Sequence, residues 1–312
     1  MAVSGIEQPA IQASGGKVRS LMAWLDTRDA YMFLAPALII LACFVAYPFF
    51  DGIATSLTDR GVARPGNFTG TANFEQLFQD EIYGIALRNS ILLTLSAVGL
   101  KFVLGLIGAV VLAQRFPMRG VIRALIFLPW AVPGLIAALS WKWLYDELNG
   151  IFNLALVLSG LSSDVIYWLS DPDVALASIT IAMVWHGLPF YVMMFLAGLA
   201  AIPSELYEAA AIDGANTWQR FWKVTLPGLK DVIAITLMLS AIWTFNSFHM
   251  VFILTNGGPA NRTQILPTLA YEYGIRRSEL GLGAAVMVSV IPAFLVIIYF
   301  LTRRMLKEQA NA

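Results

Sequence analysis

The chain has 312 residues, of which 58% are hydrophobic and 13% charged, against about a quarter charged in soluble domains. Its mean hydropathy is +0.71 and its 20 basic residues balance 20 acidic ones, which argues against a soluble enzyme, a disordered chain and a basic nucleic-acid binder. A single cysteine, Cys43, excludes an internal disulfide framework and a multi-cysteine metal site.

A bilayer core of about 30 Å takes roughly 20 helical residues to cross, so stretches free of charge mark the spans. Six qualify in chain order: Tyr31 to Phe50; Asn89 to Gln114, broken only by Lys101; Ala124 to Trp141; Val174 to Ser204; Val232 to Asn261; and Leu280 to Thr302. The short alternating segments of a membrane barrel are missing. The fold class is therefore an all-α membrane protein, with six transmembrane helices over 30–304, a cytoplasmic N-terminal tail over 1–29 and a cytoplasmic C-terminal tail over 305–312. The first apolar stretch has no small-residue cleavage signature and reads as an anchor. Pro129 and Pro133 predict a kinked or interrupted third helix, its freed backbone groups satisfied by neighbouring helices. The stretches from Val174 and Val232 exceed one span, which predicts that each runs on into an interfacial segment.

Loop charges set the orientation. Lys17, Arg19, Arg28, Arg115, Arg119, Arg123, Arg220, Lys223, Lys230, Arg303, Arg304 and Lys307 fall on one side, twelve of the twenty basic residues, and only Arg60, Arg64, Arg88, Arg262, Arg276 and Arg277 on the other. Both termini are expected in the cytoplasm. The outer loop from Tyr145 to Asp173 is acidic, and its apolar run Ile151 to Leu158 predicts a short surface helix.

Signatures of bond-breaking chemistry are missing: there is no G-x-x-x-x-G-K-[ST] loop, no H-E-x-x-H pair and no G-x-S-x-G elbow. His186 and His249 lie inside predicted helices without a carboxylate or cysteine at ligand spacing, which favours hydrogen-bonded structural roles over a proton relay. No Asp or Glu interrupts a predicted helix core, as the coupling-ion site of a secondary transporter requires.

The cytoplasmic loop between the fourth and fifth spans, about 203–228, has the local logic of a helical hairpin. Ser204 is placed to cap a helix from Glu205 to about Ile212, Gly214 to end it in a left-handed conformation, and Thr217 to cap a second helix that stops before Pro227. An amphipathic hairpin lying on the inner leaflet would account for the pattern. The stretch also resembles the cytoplasmic signature of binding-protein-dependent ABC importer permeases: Glu208-Ala209-Ala210, then Gly214, Val224 and Leu226-Pro227, with valine for the commoner isoleucine. In that family the hairpin couples the permease to an ATP-hydrolysing subunit. The resemblance therefore implies coupling roles for Glu208, Ala209, Ala210, Gly214, Leu226 and Pro227, with the glutamate pairing to a basic residue of the partner.

Further motifs are similar to the carbohydrate-importing, maltose-type branch: Phe33-Leu34-Ala35-Pro36-Ala37, Tyr47-Pro48, Asn67-Phe68, Asn73-Phe74 and Leu254-Thr255-Asn256-Gly257-Gly258-Pro259. On local grounds the paired glycines suit a sharp reversal where the fifth helix leaves the membrane. The resemblance implies a second homologous permease, two ATP-binding subunits that hold the ATP and magnesium, an extracytoplasmic sugar-binding protein and a bacterial inner-membrane location. It leaves this chain with no cofactor or metal, no catalytic residue and no nucleic-acid partner. A glycerol phosphate or another non-sugar solute is the alternative cargo, and an ATP-independent secondary transporter the alternative class.

The same resemblance puts the solute pathway on the helices flanking the loop. Before it, Trp185, Gly187, Pro189 and Phe190 follow a W-x-G-x-P-[YF] pattern, with Met183, Gly187 and Phe190 on one helical face. After it, Ser240, Thr244 and Ser247 share a face, with Trp243 and Asn246 adjacent. Hydroxyls with an aromatic ring suit a sugar, although small polar residues also serve helix packing. Lys101, mid-helix, costs at least about 2.5–3.5 kcal/mol in lipid. It either lines the pore and favours an anionic sugar or pairs with a carbonyl or the second permease. Gly105, Ala109 and Ala113 form a small-residue ridge on the same helix.

Overall fold

The computed structural model describes residues 31–296, with Tyr299 and Arg303. The expected tails 1–29 and 305–312, the end of the sixth stretch, and the basic residues Lys17, Arg19, Arg28, Arg304 and Lys307 lie outside the described residues. The chain divides into two compact units at Ala54 and Thr55.

The first unit is carried by helix α1 (Tyr31–Ser56), whose apolar side chains, Phe33, Phe44 and Tyr47 among them, are exposed. Its Ala42–Ala46 turn is π-helical, with Tyr47 N–H donating to Ala42 O. The wide turn falls just before Pro48, where a proline removes a donor and crowds the carbonyl four residues back.

In the second unit the helices are α2 (Ala72–Gln79), α3 (Glu81–Ala113), α4 (Arg119–Ala131), α5 (Gly134–Leu144), α6 (Ile151–Leu158) and α7 (Ala175–Ala201). They are followed by α8 (Ser204–Ile212), α9 (Thr217–Gly228), α10 (Lys230–Phe245), α11 (Phe248–Leu254), α12 (Leu266–Tyr271) and α13 (Leu280–Val296). Among the described residues the β contribution is one isolated bridge, Thr58 with Phe68. Among the described residues three helices, α1, α3 and α7, are singly long and apolar enough to span a membrane. The bent pairs α4–α5 and α9–α10 raise the number to five, and α13 is a shorter apolar helix at the position of the sixth.

Helix α3 is built inside out relative to a soluble helix. Its buried side is Ala86, Asn89, Ser90, Ala97, Lys101, Gly105 and Ala109, while Leu95, Val103, Ile107 and Val111 are exposed. Lipid sets no penalty on exposed aliphatics, so close approach through small residues becomes the packing principle. A Cβ on Gly105 would lie 2.5 Å from Tyr191 Cβ, and one on Gly108 3.2 Å from Val192 Cγ2. The expected ridge therefore packs at Gly105 and Ala109, but Ala113 is exposed.

Three buried clusters organise this unit. One joins α3, α5, α7 and α11 through Leu93, Trp141, Met183 and Val251. A second joins α2, α3, α12 and α13 through Leu77, Tyr83, Leu269 and Val286. The third sets Tyr191 and Phe195 of α7 against Ala109.

Two departures from expectation concern the long apolar stretches. The one from Val174 forms a single straight-through helix of 27 residues, α7, about 40 Å long, without a separate interfacial segment. The one from Val232 does divide, but its second part, α11, is packed in the core through Met250, Val251 and Leu254. The third stretch breaks as its prolines require, with α4 and α5 meeting at 96°. Helix α6 has the expected bounds and is tied down. Buried Asn153 donates to Glu147 O and Ile166 O and accepts from Trp168 Nε1, and Phe152 packs on Trp141, Tyr145 and Trp168.

Candidate functional site

A cavity of about 180 Å³ opens between α3, α7, α10 and α11. It is lined by Lys101, Met183, Gly187, Phe190, Ser240, Trp243, Thr244 and Ser247, together with Trp130, His186, His249 and Met250. Eight of the nine residues assigned to the pathway from sequence thus meet in one place. The ninth, Asn246, does not: it is exposed and its amide turns back to donate to Ile242 O at 2.9 Å. The helix ends there, so Ser247 reaches the cavity from the link to α11 rather than from the face shared by Ser240 and Thr244.

Lys101 is 4% exposed. Its Nζ donates to Thr244 Oγ1 at 2.8 Å and Ser240 Oγ at 3.1 Å, and stands 5.7 Å from the centre of the Tyr191 ring. Residues four apart share a helix face, so one ammonium bridges both hydroxyls and ties α3 to α10. Both of these hydroxyls belong to its own chain. Gly187 makes the bridge possible: a Cβ there would sit 2.9 Å from Lys101 Cδ. Phe190 meets Trp243 edge to face, with ring centres 5.0 Å apart.

Four lining residues were not legible as such in the sequence. Trp130 arrives through the α4–α5 break, and His249 and Met250 through the break after Phe245. His186 Nε2 donates to Val132 O at 3.0 Å, satisfying a carbonyl freed at the proline-broken bend. That is the hydrogen-bonded structural role expected of it.

A second constellation is the hairpin α8–α9. Gly214 has φ +79, and Ala215 N–H donates to Ala210 O while Gly214 N–H donates to Ala211 O. This is the crossed pair of bonds that closes a helix on a left-handed residue. The caps differ from expectation. Pro203 precedes α8 and Ser204 is its first residue, with no side-chain cap. Asn216, one residue before Thr217, caps α9 in a reciprocal box with Gln219, both bonds 2.9 Å.

Nor does α9 stop before Pro227. It continues through Gly228 because Phe221–Thr225 widens to a π turn, with Leu226 N–H donating to Phe221 O, the device already seen before Pro48. Tyr207 Oη and Thr225 Oγ1, 3.1 Å apart, fasten the two arms. Glu208 and Ala209 are exposed, as are Leu206, Ile212, Trp218 and Trp222. A 64° bend then leads from α9 into α10.

A family profile described as "Binding-protein-dependent transport system inner membrane component" matches residues 102–308. The trehalose/maltose transport system permease protein MalF of Thermococcus litoralis is 34% identical over 270 residues, 86% of this chain and 90% of the relative. The sulfoquinovosyl glycerol transport system permease protein SmoG of Agrobacterium fabrum is 33% identical over 85% of this chain and 87% of its own. The trehalose transport system permease protein SugA of Mycobacterium tuberculosis is 30% identical, covering 95% and 94%. Among solved structures, a bacterial ABC transporter involved in the import of the acidic polysaccharide alginate superposes with a TM-score of 0.78 at 23% identity, over 91% of this chain and 98% of that one.

Proposed function

This chain belongs to the inner membrane components of binding-protein-dependent transport systems, and from that premise we propose that it forms half of the translocation pathway for a sugar or sugar derivative. The observation that carries the reading is that the helices on either side of the hairpin, α7 and α10, converge on one cavity whose walls combine hydroxyls with aromatic rings. Hydroxyl donors meet a sugar's polar edge and rings cover its apolar face. The relatives are named for sugars and a sugar glycoside, which favours this cargo over a glycerol phosphate.

In this reading a second permease completes the pathway, two ATP-binding subunits hold the ATP and magnesium, and a binding protein delivers the solute to the acidic outer face. The hairpin seats on an ATP-binding subunit through exposed Glu208 and the apolar side chains around it. The closed geometry of the hairpin supports this, since bonds from Gly214, Ala215, Asn216 and Tyr207 let it move as one body. Closure of the ATP-binding subunits then turns α10 through the bend at Gly228, opens the cavity outward and resets on hydrolysis. The chain itself breaks no bond, and both termini lie in the cytoplasm of a bacterial cell.

The test is purification of the tagged chain from cells expressing its neighbouring genes, followed by ATPase and uptake assays. A second permease and an ATPase are expected to copurify. Glu208→Lys should cut ATP-driven uptake at least tenfold, because like charges oppose each other across the docking surface. Recovery of the chain alone, transporting without ATP, would overturn the reading.

A further inference from the structure

The charge of Lys101 is surplus to holding the helices together. A neutral donor in the place of the ammonium would tie the same hydroxyls of Ser240 and Thr244 without burying an ion. Moreover, an ammonium has three donors, and the hydrogen bonds described for Lys101 use two.

Among the described residues no anion answers it. Among the cavity-lining residues the titratable groups are Lys101, His186 and His249, with no Asp, Glu or Tyr. The elements around the cavity offer none at its level. Helices α5, α7 and α11 contain no Asp or Glu, and those of α3 and α10 are Glu81 and Asp231, confined to first turns. A buried ion is ordinarily paired, and here the position of the counter-ion coincides with open volume.

We propose that the solute carries an oxyanion group, a carboxylate or sulfonate on a sugar, and that Lys101 is the residue that receives it. The hydroxyls deepen the site. With a lone pair taken by the ammonium, Thr244 retains its own O–H to donate, and the cavity-lining Ser247 adds another, while Ser240 is within reach of the Tyr191 hydroxyl. The wall from Lys101 to Ser247 is a run of donors suited to an acidic group, and Phe190, Trp243 and Trp130 are left for the apolar face of the sugar ring. The proposal rests on the importer reading and names the class of its cargo.

The experiment is uptake by cells deleted for this chain and complemented with it alongside its partner genes. The probes are maltose and trehalose, each beside its 6-carboxylate and its 6-deoxy-6-sulfonate. Wild type is expected to accumulate at least one acidic probe, and Lys101→Gln to lower the acidic-to-neutral uptake ratio at least tenfold, with Lys101→Arg restoring it to within about threefold. Thr244→Asp, which cancels the charge in place without removing the lysine, should lower the same acidic-to-neutral ratio and serves where Lys101→Gln does not reach the membrane. Uptake of neutral probes alone, acidic uptake unaffected by both variants, or no acidic uptake would each overturn the proposal. Neutral uptake that still disappears in Glu208→Lys would leave the importer reading standing while removing this one.

Discussion

Gly187 and Lys101 show how one absent side chain sets the character of a site. Glycine's lack of a Cβ gives the lysine stem its path across α7 toward Ser240 and Thr244. Gly187→Val is therefore expected to displace the ammonium and lower uptake of the native solute at least tenfold, with the complex still assembling, read by radiolabel uptake against copurification. Gly105→Val acts differently. Its neighbour at 2.5 Å is the Cβ of Tyr191, which cannot swing aside, so overpacking should cost about 1–3 kcal/mol and lower the thermal midpoint of the purified complex. Transport by whatever fraction folds should keep its solute preference. These two outcomes separate a glycine that shapes a site from one that joins two helices.

At the scale of elements, two turns require left-handed glycines for different reasons. Gly214 has φ +79, and a Cβ there meets nothing within 4 Å. Gly214→Ala should cost only the backbone penalty, about 1–2 kcal/mol. Gly257 has φ +84, and its Cβ would fall 1.6 Å from Gln264 Oε1. That turn is anchored by Thr263, which donates to Gly258 O, and by Asn89 of α3, which donates to Arg262 O and Gln264 O. Gly257→Ala should therefore give the larger drop in thermal midpoint of the pair, measured side by side.

Turn chemistry accounts for what was readable here and what was not. Gly214 and the Gly257-Gly258-Pro259 reversal were legible because few residues tolerate such backbone. The shift of the cap from Thr217 to Asn216 was not, because both are good caps and only the reciprocal bond with Gln219 decides between them. The passage of α9 through Pro227 depends on a π turn, which the proline alone does not distinguish from a helix end.

For the whole molecule, the spans could be read because lipid expels charge: α7 lies within its charge-poor stretch, and α3 begins eight residues before its own and ends one short of it. What stayed hidden belongs to tertiary geometry. Trp130, His249 and Met250 reach the cavity only through bends at Val132–Pro133 and Asn246–Ser247, and a one-dimensional pattern marks where a helix breaks without saying what the break delivers. Orientation makes its own prediction. In a Cys43→Ser background, a membrane-impermeant maleimide applied to intact cells should label Ser163→Cys in the outer loop and leave Glu205→Cys in the hairpin unlabelled until the membrane is opened. The reverse pattern would invert the topology.

The bend between α9 and α10 gives the hairpin a mechanical reading. At 64°, the two arms form a crank, with Gly228 at its elbow and the hydroxyls of Ser240 and Thr244 on the far arm. Because those hydroxyls share one bearing on the axis, a turn of α10 in the proposed cycle would withdraw both from Lys101 in a single movement. Under the proposed cycle the polar contact would act as a detent: it would engage at one angular setting of the crank, disengage as a unit, and record at the cavity the position of a lever whose handle is the hairpin.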